Sequence, residues 1–209
     1  MDYDFDTAVQ KEVVYNHIKH LALPFTVIDV GWWYQIAIPR LPSGRIDYFG
    51  GAITFNTLVV DGQTPSALTD LGDIGTYVAA IINDARTLNK YVLSYSELWK
   101  PVDVYAKLEE LSGEKIPRDF VSEAQLRQQL ADAIHDLERD PKDGLAALKR
   151  AAAEYSISWG VRGDNTPGYA EYLGYLDAKE LYPHVKFRGL EDFMKSVLAG
   201  GEKGVYQDS

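Results

Sequence analysis

The chain has 209 residues, of which 46% are hydrophobic and 25% are charged, as is typical of a globular domain with its own core. Its 31 acidic residues outnumber 21 basic ones, and the formal charge of −10 disfavours nucleic acid and membrane surfaces as partners. The absence of cysteine excludes disulfides, thiolate nucleophiles and cysteine zinc sites. The four histidines lack metal-site spacing, so we expect no metal.

The chain starts with the acidic run Met1–Asp6, which lacks the apolar segment of a signal peptide. No apolar run of the sequence approaches the roughly 18 residues that a membrane span needs. We therefore expect a cytoplasmic protein with no membrane partner.

The first predicted element is a helix over Thr7–Leu21, because apolar residues, together with Lys11, recur at helical spacing. The apolar run Phe25–Val30 then predicts a buried parallel strand, which ends at Gly31. A helix, a buried strand and a loop in this order are typical of a doubly wound α/β fold.

The elements that follow alternate at first and then become mainly helical. Periodicity and turn residues predict a strand at Leu58–Val60, a helix capped by Asp73 that reaches Ile82, a strand at Tyr91–Leu93 and a helix over Pro101–Leu111. Beyond Ser122 they predict a helix striped by Leu126, Leu130, Ile134 and Leu137, and another from Asp140–Pro141 striped by Leu145, Leu148 and Ala152. Residues Trp159–Leu176 are predicted to be irregular, followed by a helix at Asp177–Tyr182, a strand at Val185–Phe187 and a helix at Leu190–Leu198.

Lys11 is the sharpest candidate for chemistry, because it lies on the apolar stripe of the first helix, where lysine is unusual. A lysine there could hold a ribose hydroxyl, lower the pKa of a nearby proton donor, or act itself as a general acid or base. Alternatively, its stem packs on the helix edge while the charge stays in water. Spacing alone leaves both interpretations open.

Tyr15 and Lys19 have the Y-x-x-x-K spacing of the catalytic dyad of short-chain dehydrogenases. Lys19, however, lies only five residues before Pro24, whereas the lysine of that dyad lies most of a helix ahead of the next strand. We therefore expect Tyr15 to be a core residue. Lys11 has the required separation, and Thr7 occupies the position four residues before it.

Three consecutive aromatic residues, Trp32, Trp33 and Tyr34, directly follow the predicted buried strand. Open α/β sheets bind ligands at the carboxyl ends of their strands. Three neighbours cannot all face one core, so we expect at least one of them to line a cleft. The alternative is a loop that buries two of them in the core.

A cradle for a diphosphate is not evident in the sequence, because no glycine-rich turn of the G-x-G-x-x-G or P-loop type follows a strand. The glycines of Gly200–Gly204 follow a predicted helix and do not qualify. Asp70 and Asp73 could form a catalytic carboxylate pair, but capping and turn roles explain them better.

Several runs of the sequence resemble, in this order, NmrA-like proteins of the isoflavone reductase type. These runs are Lys11–Ile18, Leu23–Trp33, Thr69–Gly75, Asn83–Lys90, Leu111–Ile116, Arg162–Thr166 and Glu180–Pro183. They extend over nearly the whole chain, and the ordered set is more specific than any single run.

The resemblance implies an α/β fold, namely the C-terminal part of a Rossmann-like, doubly wound and mostly parallel sheet with a mainly helical substrate-binding region. It also implies NADPH as the cofactor and a small aromatic or phenolic molecule as the substrate. Lys11 matches the catalytic lysine of the family, at the cofactor. Gly31 and Trp33 would approach the nicotinamide, and Trp32, Trp33 and Tyr34 would contact the substrate.

The family's order of elements also implies a domain organisation. Residues 1–99 would be the remainder of an NAD(P)-binding domain, 100–199 a mainly helical substrate region interleaved with it, and 200–209 a disordered tail. The family has several strands and a glycine-rich turn before its lysine helix, so we expect this chain to lack N-terminal βαβ units and activity of its own.

Without those βαβ units, the predicted strand Phe25–Val30 would have an unpaired edge, and such an edge favours self-association or a homo-oligomer. The alternative function is that of an NmrA-like regulator or binding protein that senses nucleotide without turnover.

Overall fold

Three small sheets organise the computed structural model, which describes residues 6–48 and 57–203. Their strands are β1 (Thr26–Asp29), β2 (Trp32–Trp33), β3 (Thr57–Val59), β4 (Ser66–Thr69), β5 (Lys90–Leu93), β6 (Glu97–Trp99), β7 (Asp119–Val121) and β8 (Leu176–Asp177). Strands β1, β5 and β8 form a parallel sheet in that order. In the second sheet the central β4 pairs parallel with β2 and antiparallel with β6. Strands β3 and β7 pair parallel and form the third sheet.

Helices connect and cover these strands, as the predicted α/β class requires. They are α1 (Asp6–His20), α2 (Tyr34–Ala37), α3 (Leu71–Ile81), α4 (Pro101–Ser112), α5 (Glu123–Arg139), α6 (Gly144–Tyr155), α7 (Pro167–Tyr172), α8 (Ala178–Leu181) and α9 (Leu190–Leu198). Residues Ser156–Arg162 form a π-helix that continues α6. The α/β fold with mostly parallel pairing is confirmed, and α9 has the predicted bounds.

The largest apolar core lies where α2, α4 and α9 meet. Tyr34 of α2, Leu108 of α4 and Phe193 of α9 are fully buried there. The ring of Tyr34 lies 5.5 Å from that of Phe193. This packing joins the segment that follows β1 to helix α9.

Helix α3 begins one turn earlier than expected. Asp70, in an extended conformation, caps it by accepting a hydrogen bond from the backbone N–H of Gly72 at 3.0 Å. The prediction of Asp73 as the cap is therefore wrong, since Asp73 lies inside the first turn.

Helix α6 also differs from its prediction. Asp143 caps it by accepting from the backbone N–H groups of Leu145 and Ala146, so the helix begins beyond the predicted Asp140–Pro141. Leu145 and Leu148, predicted as its buried stripe, are exposed, whereas Ala146 and Ala153 are buried. Small residues fill that face because α5 packs closely against it.

The C-terminal segments show two further differences. Residues Val185–Phe187 form no strand; Phe187 instead stacks on Tyr77 of α3 at 4.3 Å. Glu202, in the predicted disordered tail, binds Arg188 at 2.6 Å, so that part of the tail is held by an ion pair. Residues 204–209 lie outside the described residues.

Strand β1 and helix α1 form one margin of the described structure. Within residues 6–48 and 57–203, β1 pairs only with β5, so it is an edge strand. On α1, Val13 and Val14 are 64% and 55% exposed. The predicted apolar stripe is therefore only partly covered by the described residues.

Glu109 of α4 provides a prediction about pH. Its buried carboxylate accepts hydrogen bonds from the backbone N–H of Ile116 and the guanidinium of Arg118, and these lower its pKa below the ordinary 4.5. Because the pKa of Glu109 is lower in the folded state than in the unfolded state, its carboxylate stabilises the fold at pH values above the unfolded-state pKa. This stabilisation is lost as the pH falls through the folded-state pKa. We expect Glu109→Gln to lower the unfolding midpoint in urea at pH 7 and to have much less effect at pH 3. An equal loss at both pH values would contradict this assignment.

Candidate active site

The turn after β1 brings the aromatic run to the edge of the second sheet. Gly31 has a positive φ of 66°, and a Cβ atom there would lie 2.5 Å from the carbonyl oxygen of Ala67. Only glycine fits this close approach without a backbone shift. The approach lets Trp32 and Trp33 pair with Leu68 and Thr69 as strand β2.

The three aromatic residues of the run have different environments. Trp32 lines a cavity, as expected for at least one of them. Trp33 is half-buried beside Thr69 in the second sheet. Tyr34 is fully buried, and its hydroxyl donates to Glu97 and to the carbonyl oxygen of Arg188. The structure therefore makes Tyr34 a core residue rather than a substrate contact, because α2 turns its ring towards α9.

The cavity beside Trp32 has a volume of about 50 Å³. Its walls are apolar, and their main side chains are Trp32, Leu58, Trp99, Val104, Tyr105 and Trp159. Among the described residues that line it, none is charged, and Thr57 and Ser66 are the only aliphatic hydroxyls. Such a lining favours apolar groups, because an unpaired polar group would lose its hydrogen bonds to water there.

Two aromatic residues that the sequence analysis did not single out pack against Trp32. The ring centroid of Trp159 lies 5.1 Å from that of Trp32, with 67° between the ring planes. The ring centroid of Tyr155 lies 6.0 Å from that of Trp32, with 59° between the planes. Tyr155 ends α6 and Trp159 lies in the π-helix, a form that occurs frequently at functional sites. The sequence could not reveal this, because a π-helix has no clear sequence pattern and residues from Trp159 on read as irregular.

Lys11 lies on the exposed side of α1. It makes no hydrogen bond or ion pair with the other residues that the structure describes. The side chain of Thr7 lies outside the described residues. The catalytic role of Lys11 therefore stays a prediction.

The Y-x-x-x-K pair has packing roles in the structure. The ring of Tyr15 contacts Tyr91 edge-on at 5.8 Å, and Lys19 lies over the same ring at 5.6 Å. Burial, with a further effect from Asp29, raises the pKa of Tyr15. A raised pKa makes this hydroxyl a poorer acid. Tyr15 is only half-buried and lies in none of the buried core clusters of the described residues, so its predicted place in the core is not confirmed.

Asp70 and Asp73 belong to a structural network rather than a reactive pair. Asp70 accepts from Gln35 at 2.8 Å and from the Arg188 guanidinium at 3.3 Å, besides capping α3. Asp73 accepts from the backbone N–H of Arg188 at 3.0 Å and from Ser96 at 3.3 Å. Burial raises the pKa of Asp73. Because the backbone N–H and the guanidinium of Arg188 both donate to these carboxylates, the two aspartates hold the segment around Arg188 against the start of α3.

The starts of two helices that follow parallel strands do not fit the diphosphate of a dinucleotide. Such a group is held by free N–H groups at the start of a helix that follows a parallel strand. Here the helices that directly follow β4 and β8 are capped by the carboxylates of Asp70 and Asp177. A diphosphate would meet a negative charge at either place. The described residues also contain no helix long and apolar enough to cross a membrane, and no acidic or histidine cluster able to hold a metal.

Comparison with known proteins identifies a dehydrogenase and several reductases as relatives. The chain is 43% identical over 195 residues to asnovolin J 5',6'-dehydrogenase of Aspergillus novofumigatus, a match covering 91% of this chain and 59% of that protein. It is 30% identical to a phenylcoumaran benzylic ether reductase of Nicotiana tabacum, covering 93% and 62%. The chain thus spans about three fifths of the length of these relatives. No protein-family profile matches it.

Solved structures share the fold at low sequence identity. A ternary complex of leucoanthocyanidin reductase from Vitis vinifera superposes with a TM-score of 0.72 at 17% identity, over 95% of this chain and 63% of that one. A binary complex of the same enzyme with NADPH gives a TM-score of 0.71 at 18% identity, covering 95% and 60%. A crystal structure of isoflavone reductase superposes with a TM-score of 0.67 at 17% identity, over 94% of this chain and 60% of that one.

Proposed function

We propose that the chain belongs to the NmrA-like, isoflavone reductase-type family of its relatives and forms the substrate side of an NADPH-dependent oxidoreductase. Its substrate is a small aromatic or phenolic molecule. The observation that carries the proposal is the apolar cavity lined by three tryptophans beside the turn at Gly31, which would bind one group of the substrate at the carboxyl end of a parallel strand. Relatives named as reductases, and a solved relative bound to NADPH, support it.

In this proposal the residues of the site have separate roles. Lys11 donates a proton to the substrate or polarises it, and it contacts the cofactor. Gly31 and Trp33 border the cofactor, while Trp32 and Trp33 wall the substrate pocket. The diphosphate of NADPH is held by groups other than the starts of α3 and α8, which carboxylates cap.

The proposal is tested in a chimera that adds, from a curated relative, the part that this chain does not span. We expect NADPH oxidation, followed by absorbance, with at least one member of a panel of phenolic and other aromatic compounds. Saturable NADPH binding without turnover of any compound would instead favour the NmrA-like sensing alternative.

We also propose that the chain self-associates through β1. The strand is an edge within the described residues, and α1 beside it exposes Val13 and Val14. Unpaired strand edges and apolar patches favour association. Light scattering should show a mass above the 23.4 kDa of one chain, and Val27→Pro, which disfavours strand pairing, should reduce it. A monomer at every concentration would exclude this interface.

A further inference from the structure

The cavity beside Trp32 has walls that select the chemistry of its occupant. Three of the four tryptophans of the chain line it, together with Leu58 and Val104. The oxygen of Ser66, one of its two aliphatic hydroxyls, already accepts a hydrogen bond from Asn165 at 2.6 Å. A carboxylate or phosphate would find no cation among the described lining residues and would lose its hydration. The occupant is therefore an uncharged hydrocarbon group.

The volume restricts that group further. An apolar cavity of about 150 Å³ accommodates benzene in another protein, whereas this one measures about 50 Å³. A whole aromatic ring is thus too large, while a branched end such as an isopropyl or gem-dimethyl group has a suitable size. The ring that carries this group would lie outside the cavity.

The π-helix holds Trp159 in the cavity wall. Gly160 lies so close to Val59 that a Cβ atom there would be 2.6 Å from the Val59 side chain. Thr64 donates a hydrogen bond to the carbonyl oxygen of Gly160 at 2.8 Å, and Ser158 donates to Asp164 at 2.8 Å. These contacts on both sides of Trp159 fix its backbone, so its ring sets one limit of the cavity.

We propose that this cavity binds an uncharged, branched aliphatic group of the substrate, and that Trp159 sets the size limit of that group. The inference deepens the proposed function, on which it rests for the identity of the substrate. The apolar site itself requires neither NADPH nor turnover, so its test is independent of the reductase assay.

The test is calorimetric titration of the full chain with benzene, isopropylbenzene and isobutyrate. We expect isopropylbenzene to bind at least about tenfold more tightly than benzene, because three more carbons are buried. Isobutyrate, which has the same branched carbon but carries a charge, should show no binding. Equal affinity for benzene and isopropylbenzene, or tighter binding of isobutyrate, would overturn the proposal.

Variants locate the binding in the cavity. Ala37 lines it, so Ala37→Ile should fill it and remove most of the preference for isopropylbenzene. Ala79→Ile adds the same volume on the exposed side of α3 and should leave the preference intact. Trp159→Phe should extend tight binding to the bulkier tert-butylbenzene. A preference that survives Ala37→Ile, or a size limit unchanged in Trp159→Phe, would place the ligand elsewhere.

Discussion

Replacing Lys11 with methionine should lower kcat of the chimeric oxidoreductase by about 100-fold or more, the usual cost of losing a general acid or base. Methionine keeps much of the stem and removes only the charge. The expectation rests on the separation of Lys11 from β1 and on its match to the family's lysine. NADPH affinity should change much less than kcat, because the main effect is on the transition state.

Lys19→Met is the matched control for this experiment. Both lysines lie on α1, but Lys19 packs over the ring of Tyr91 and has no assigned role in the chemistry. Turnover should be nearly unchanged in Lys19→Met. If that variant is inactive while Lys11→Met is active, the Y-x-x-x-K pair carries the chemistry and Tyr15 becomes the catalytic candidate.

Replacing Glu97 with alanine should lower the free energy of unfolding by about 3 kcal/mol or more. One oxygen of this carboxylate accepts from the Tyr34 hydroxyl at 3.2 Å, from the Trp99 indole at 3.0 Å and from the backbone N–H of Leu190 at 2.7 Å. Alanine would leave three donors without this acceptor in a partly buried place. Urea unfolding monitored by circular dichroism measures the change.

Two variants make this result specific. Glu110→Ala removes an exposed carboxylate that pairs with Lys107, and exposed pairs contribute little, so its effect should stay within about 0.5 kcal/mol. Tyr34→Phe removes one of the three donors and should cost about 1 kcal/mol. If Glu97→Ala lowers the free energy of unfolding no more than Tyr34→Phe does, the carboxylate of Glu97 does not stabilise the fold through all three hydrogen bonds.

The connection between sequence and site is clearest for Trp32. Its position after a strand predicted to be buried indicated a cleft, and the structure places it in a cavity wall, although β1 is a half-buried edge strand. The same reasoning could not distinguish it from Tyr34, two residues away, which is buried in the core. The difference arises because α2 begins at Tyr34 and turns its ring towards Phe193, a residue distant in sequence.

Local patterns by themselves determined the class of fold, the helix at Leu190–Leu198 and the turn at Gly31, because periodicity and backbone preference act over a few residues. The order of the sequence runs that resemble the family, also a property of the sequence, indicated the dehydrogenase and reductase relatives. Only the tertiary structure decided which residues meet at the cavity. Trp99 and Trp159 lie about 70 and 130 positions after Trp32 in the sequence, and they line the same cavity through long-range packing and a π-helix, which leave no local sequence pattern.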